Sequence, residues 1–129
     1  MWIDHAVVEP SDLHWLEPVR RLTLWAVDVP EGLLGSLPQL EWLDVRGGSR
    51  TSADVVEGCV RLRYLQLNQV TGLCDLSAVR SLTTLELLSL YGVRQVTTLP
   101  DLSGLTSLAR LELGSMKGLE GIGPALDAP

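Results

Sequence analysis

The chain has 129 residues, 46% of them hydrophobic, which suits one domain with a buried core. A formal charge of −6 and an isoelectric point near 4.7 argue against a general phosphate-binding surface, because such surfaces need clustered Lys and Arg, so no nucleic-acid partner is expected. No apolar run approaches the ~18 residues of a membrane span, and "MWIDHAVVEP" lacks the basic-then-apolar order of a signal peptide, so a cytoplasmic protein without membrane contact is the expectation. Cys59 and Cys74 are too few for a disulfide scaffold and lack zinc-ligand spacing. A single lysine (Lys117), a single asparagine (Asn68), no phenylalanine and abundant Arg, Gly, Ala and Val follow high codon GC content and point to a bacterial source.

Residues 1–18 come first. "WIDHAVV" lacks any leucine pattern and "SDLHWLEPV" carries half of one, so the segment is expected to be an N-terminal cap with a partial repeat. From Val19 onward leucines, which fill 27 of the 129 positions, recur three apart and then two apart. The stretches are "VRRLTLWAV" from Val19, "LEWLDVRGG" from Leu40, "LRYLQLNQV" from Leu62, "LELLSLYGV" from Leu85 and "LARLELGSM" from Leu108. Their starts lie 21, 22, 23 and 23 residues apart. Leucines two apart point to the same side of an extended strand, so each stretch predicts one short strand.

The links between strands keep a spacing of three, as in Leu73, Leu76, Val79 and Leu82, matched 23 residues later by Val96, Leu99, Leu102 and Leu105. That spacing predicts irregular or 3₁₀ structure. The second unit departs from it: "RGGSRTSADVVEGC" places Asp54 three residues before Glu57, a capping-box pattern that predicts a short helix over Val55, Val56 and Cys59. In the fourth unit two registers are open, one starting at Leu82 with Leu85 and Leu87 inward, the other at Leu85 with Leu88 and Leu90 inward. The second is preferred because it keeps every apolar position aligned. The C-terminal "LEGIGPALDAP" offers only Leu119, Ile122 and Leu126, little polar cover for a terminal repeat.

Five successive matches to L-x-x-L-x-L, spanning about residues 11–126, resemble the leucine-rich repeat family. The resemblance implies an α/β solenoid of about five coils over residues 19–129, with short parallel strands on a concave face and irregular, 3₁₀ or short helical segments on the convex face. The family's ninth-position asparagine is missing; Val27, Gly48, Val70, Val93 and Met116 stand there. "TGLCDLSAVRSLTTL" and "TTLPDLSGLTSLARL" look like repeat arrays attached to bacterial nucleotide-binding signalling proteins, which implies a sensing role in signalling or defence.

Catalysis is not expected. His5 and His14, among Asp4, Glu9, Asp12 and Glu17, match no metal-ligand spacing. Cys59 falls on an apolar position with no histidine near, and Cys74 reads as a partly exposed thiol without a role. "RGGSR" at 46–50 has the glycines and arginines of an anion loop but no Walker-type lysine, so its glycines are read as making a turn. No cofactor or metal is expected.

The resemblance also implies that second, third, fifth, seventh and eighth positions of each unit project onto the concave face. The third positions are Arg21, Trp42, Tyr64, Leu87 and Arg110. The fifth are Thr23, Asp44, Gln66, Ser89 and Glu112, and the seventh Trp25, Arg46, Asn68, Tyr91 and Gly114. With strands ~4.8 Å apart the third row is an aromatic and apolar stripe about 19 Å long with an arginine at each end. Trp, Tyr and Arg dominate binding energy at protein interfaces, so a protein partner is expected here. Trp42 and Tyr64 are the expected anchors, Trp25 and Tyr91 flank them, Leu87 extends the stripe, and Arg21, Arg46 and Arg110 serve as polar clamps. Asp44, Gln66, Asn68 and Glu112 complete the candidate surface. The alternative is a structural solenoid that forms a homo-oligomer through its thinly capped C-terminal edge.

Overall fold

A computed structural model describes residues 1–48 and 50–120. Six strands form one parallel sheet: β1 (Trp2–Asp4), β2 (Arg21–Trp25), β3 (Trp42–Arg46), β4 (Tyr64–Asn68), β5 (Leu87–Tyr91) and β6 (Arg110–Gly114). Their order in space is their order in the chain. The architecture is therefore repeat-like, one strand and one return segment per unit, with little helix. Among the described residues no helix is long and apolar enough to cross a membrane.

The register follows the leucine spacing. Leu22, Leu43, Leu65, Leu88 and Leu111 align across five strands, as do Leu24, Val45, Leu67, Leu90 and Leu113. Both rows face the return segments and are buried up to β5; Leu111 and Leu113 on β6 are partly buried. Each leucine so buried is worth about 1.5–3 kcal/mol of transfer free energy. In the fourth unit Leu88 and Leu90 are inward and Leu87 is half-buried on the other face, opposite Tyr64, which fixes the register that starts at Leu85.

With no ninth-position asparagine, the turn after each strand is held by the backbone. The eighth residues Ala26, Gly47, Gln69, Gly92 and Ser115 all adopt left-handed conformations, φ 52°, 62°, 53°, 67° and 51°. Four of their amides donate to the seventh-position carbonyl of the next unit: Ala26 to Arg46, Gly47 to Asn68, Gln69 to Tyr91 and Gly92 to Gly114, at 2.8–3.0 Å. At the other end of the strands each second-position carbonyl accepts two amides from the following unit, as Glu41 does from Arg63 and Tyr64. The ninth-position valines Val27, Val70 and Val93 are buried instead of polar.

The structure corrects two expectations. Residues 1–18, expected as a cap with a partial repeat, hold a short helix α1 (Leu13–Leu16) and also add a sixth strand, with Trp2 opposite Thr23 and Ile3 opposite Leu24. His5 continues the eighth-position pattern at φ 47°, its amide bonded to the Trp25 carbonyl at 2.8 Å. The helix expected after Asp54 is a three-residue 3₁₀ turn, Asp54–Val56, preceded by Ala53 and with no side-chain cap bond at Ala53. Ser52 Oγ accepts the Asp54 amide at 3.3 Å, so the Asp54 side chain does not cap the turn. The apolar part of the expectation holds, because Val55, Val56 and Cys59 are buried.

Candidate functional site

The open face of the sheet carries the third, fifth and seventh residues of each strand. In the third row Trp42, Tyr64 and Leu87 lie on adjacent strands in register and are half-buried, with Arg21 and Arg110 exposed at the ends. The Arg63 guanidinium stands 5.5 Å from the Tyr64 ring and bonds Glu86. That hydrogen bond raises the Arg63 pKa and holds the Glu86 carboxyl below its usual range. In the seventh row Trp25 is 38% exposed and Tyr91 46%. Both rings lean onto the next unit where it has glycine: a Cβ on Gly47 would meet Trp25 Nε1 at 3.1 Å, and one on Gly114 would meet Tyr91 Cδ2 at 2.6 Å. Trp2, which the sequence did not bring to this face, joins Trp25 with ring centroids 5.8 Å apart. Counting 21 residues back from Thr23 reaches it.

The fifth row is not uniformly displayed. Gln66, Ser89 and Glu112 are half-buried, but Thr23 is buried and Asp44 is only 1% exposed. Asp44 therefore cannot serve as an open contact residue. Its Oδ2 accepts from Arg46 Nε at 2.6 Å, while Oδ1 has no protein partner. Arg46 is held by this bond, and Arg110 by Glu112 at 2.9 Å, so two of the three expected clamps are already paired within the chain. Arg21 has no ion pair among the described residues. Asn68 is half-buried on the seventh row.

Two cavities open at the carboxyl ends of the strands, one beside Ala26, Gly47 and Arg50 (about 350 Å³), the other beside Gln69, Tyr91 and Arg94 (about 370 Å³). In the first, Arg50 Nη2 donates to the Val27 carbonyl at 2.6 Å, tying the second unit to the turn of the first. "RGGSR" thus makes a turn, with Gly47 and Gly48 at φ 62° and 78°.

Elsewhere the chemistry-bearing residues do not converge. His5 contacts Asp4, and His14 Nδ1 lies 2.8 Å from the Ser11 carbonyl. Among the described residues no cluster of three His, Cys, Asp or Glu could hold a metal. Burial pushes the Cys59 thiol up to about 11, so it is neutral at physiological pH. Cys74 is exposed, its Sγ 3.5 Å from the Thr51 carbonyl. Compared with known proteins, the chain matches no family model, no curated protein and no solved structure.

Proposed function

We propose that the chain is a leucine-rich repeat solenoid without catalysis of its own that binds a protein partner through the open, concave face of its sheet. The observation that carries the reading is the in-register row Trp42, Tyr64 and Leu87, flanked by the exposed rings of Trp25 and Tyr91. Parallel strands fix these side chains on a rigid platform, so aromatic area is buried on binding at small entropic cost. A bacterial, cytoplasmic setting and a sensor role within a larger signalling or defence protein belong to the same proposal; they rest on composition and on the phrasing of the third and fourth units.

A second reading is self-association at the last strand, favoured by the partial burial of Leu111, Leu113, Met116 and Leu119 there. Ile122 and Leu126, which bear on how that edge is covered, lie outside the described residues. Sedimentation separates the two: a monomer at all concentrations favours partner binding, a tight dimer favours assembly.

Photo-crosslinking residues at positions 64 and 91, compared with positions 101 and 120, test the face directly in the host cell. Specific capture from 64 and 91 is expected. With the captured protein in hand, Trp42→Ala or Tyr64→Ala is expected to weaken binding by about 2 kcal/mol or more, as hot-spot residues do, with melting close to wild type. Capture from 101 and 120 alone moves the contact to the opposite side and ends the reading.

A further inference from the structure

The two cavities at the carboxyl ends of the strands occupy corresponding places, one between the first and second units and one between the third and fourth, but their charges are used differently. In the first, Arg50 is spent on the Val27 carbonyl, Arg46 on Asp44, and Asp28 stands in the wall. In the second, Gln95 takes the place of Arg50, ten residues after the unit start in each case, and among the described residues no acid lines the cavity. Among the described residues Arg94 is the one charged residue of its lining and, like Arg21, forms no ion pair, whereas Arg46, Arg63 and Arg110 all do. Gln69, Thr71, Gln95 and Ser115 also line it, and none of their side chains makes a hydrogen bond within the described chain. Tyr91, a seventh-row residue of the open face, also lines it, so cavity and aromatic platform share that residue.

An exposed arginine that shares a cavity with hydroxyl- and amide-bearing residues, with no acid among the described lining, is matched to an oxyanion. A volume of about 370 Å³ lies at the small end of ligand pockets and holds a side chain with its stem. In a chain of net charge −6 such a spot is a local reversal of sign, which favours one complementary group over general electrostatic attraction. We propose that this cavity receives a glutamate or aspartate side chain of the protein partner, with Arg94 as its counter-ion. The identity of the ligand as part of a protein rests on the partner-binding reading above; the oxyanion site itself does not.

The test is ¹⁵N NMR of the 129-residue chain, following arginine and glutamine side-chain N–H signals at constant ionic strength. The probes are N-acetylglutamate amide, its neutral isostere N-acetylglutamine amide, and inorganic phosphate. Expected are saturable shifts at Arg94, Gln69 and Gln95 with the glutamate probe and none with the glutamine probe. Arg94→Gln is expected to weaken the glutamate probe at least ~10-fold, Arg94→Lys less, and Arg61→Gln, on the return side, not at all, as the loss of one charge-assisted pair predicts. Equal shifts with the glutamine probe, unsaturable shifts shared by Arg50, Arg94 and Arg110, or a response to phosphate alone would each overturn the assignment. Failure here with capture from position 64 intact removes only the carboxylate site; probe binding with capture restricted to positions 101 and 120 removes only the concave-face reading.

Discussion

The return segments of the third and fourth units invite comparison because their apolar residues superimpose. Leu73, Leu76, Val79 and Leu82 are buried in one, and Val96, Leu99, Leu102 and Leu105 in the other. The backbones nevertheless differ. The third unit winds a five-residue 3₁₀ helix, Ser77–Ser81, while of the matching residues 100–104 only Ser103 and Gly104 lie in a turn and the rest are irregular. The cause is where a single carboxylate falls. Asp75 Oδ1 accepts the Ser77 amide at 2.9 Å and so opens the helix, whereas Asp101 Oδ1 accepts the Ser103 amide, also at 2.9 Å, three alignment positions further along. There it competes with the helical bond inside the segment rather than before it. Pro100 and Gly104 at the ends of the segment add to the difference. Burial is thus set by spacing and hydrogen bonding by local side chains, so one can be conserved between units while the other changes.

If spacing alone sets burial, inner leucines of the two units are equivalent. Leu65→Ala and Leu88→Ala are each expected to cost about 2–5 kcal/mol in denaturant unfolding, and Leu87→Ala, half-buried on the open face, clearly less. Unequal losses at Leu65 and Leu88 break the equivalence.

Next in size is the contact between return segments. A Cβ on Gly35 would stand 2.5 Å from the Glu57 carbonyl oxygen, backbone that cannot yield cheaply, so Gly35→Ala is expected to lose about 1–3 kcal/mol. Gly104 in the fourth unit has nothing within 4 Å of such a Cβ and no left-handed φ; Gly104→Ala is expected to be neutral or to gain up to about 1 kcal/mol. Thermal melts of both single variants sharpen the comparison between a return-segment glycine packed against neighbouring backbone and one with open space beside it.

The smallest effect is the most specific to the difference. The bonds to Ser77 and Ser103 hold the Asp75 and Asp101 carboxyls below their usual range. A lowered folded-state pKa gives stability that is present above the unfolded carboxylate pKa and lost as pH falls through the folded value. Asp75→Ala and Asp101→Ala, which remove both the charge and the acceptor, should therefore flatten the acid end of the stability curve. Only the first should also reduce 3₁₀ content, measured as faster amide exchange at Val79, whose amide bonds the Leu76 carbonyl at 3.0 Å.

The inner rows were legible in the sequence because two apolar residues per strand recur five times, and keeping every apolar position aligned chose between the two registers of the fourth unit. The first strand was not, since a three-residue strand offers a single inward residue, Ile3, and no alternation to recognise. The constant step would have found it: 21 residues separate Ile3 from Leu24 and His5 from Ala26, as they separate the first two unit starts. On the candidate surface, positions were legible and exposures were not. Position rules place Asp44 on the open face, yet it sits between Trp42 and Arg46 on its own strand and Thr23 and Gln66 on the neighbours, and is closed over. The pairing of Arg46 with Asp44 and of Arg110 with Glu112 likewise depends on rotamers that spacing does not encode.

Because each strand pairs only with the strands before and after it in the chain, no paired strands are separated by more than one unit of sequence. Ordering the molecule then requires closing only loops of about twenty residues, one after another, each docking onto a template already formed. Such a chain can begin to fold at any pair of neighbouring units and grow outward. Pulled from its ends, it should yield unit by unit rather than all at once.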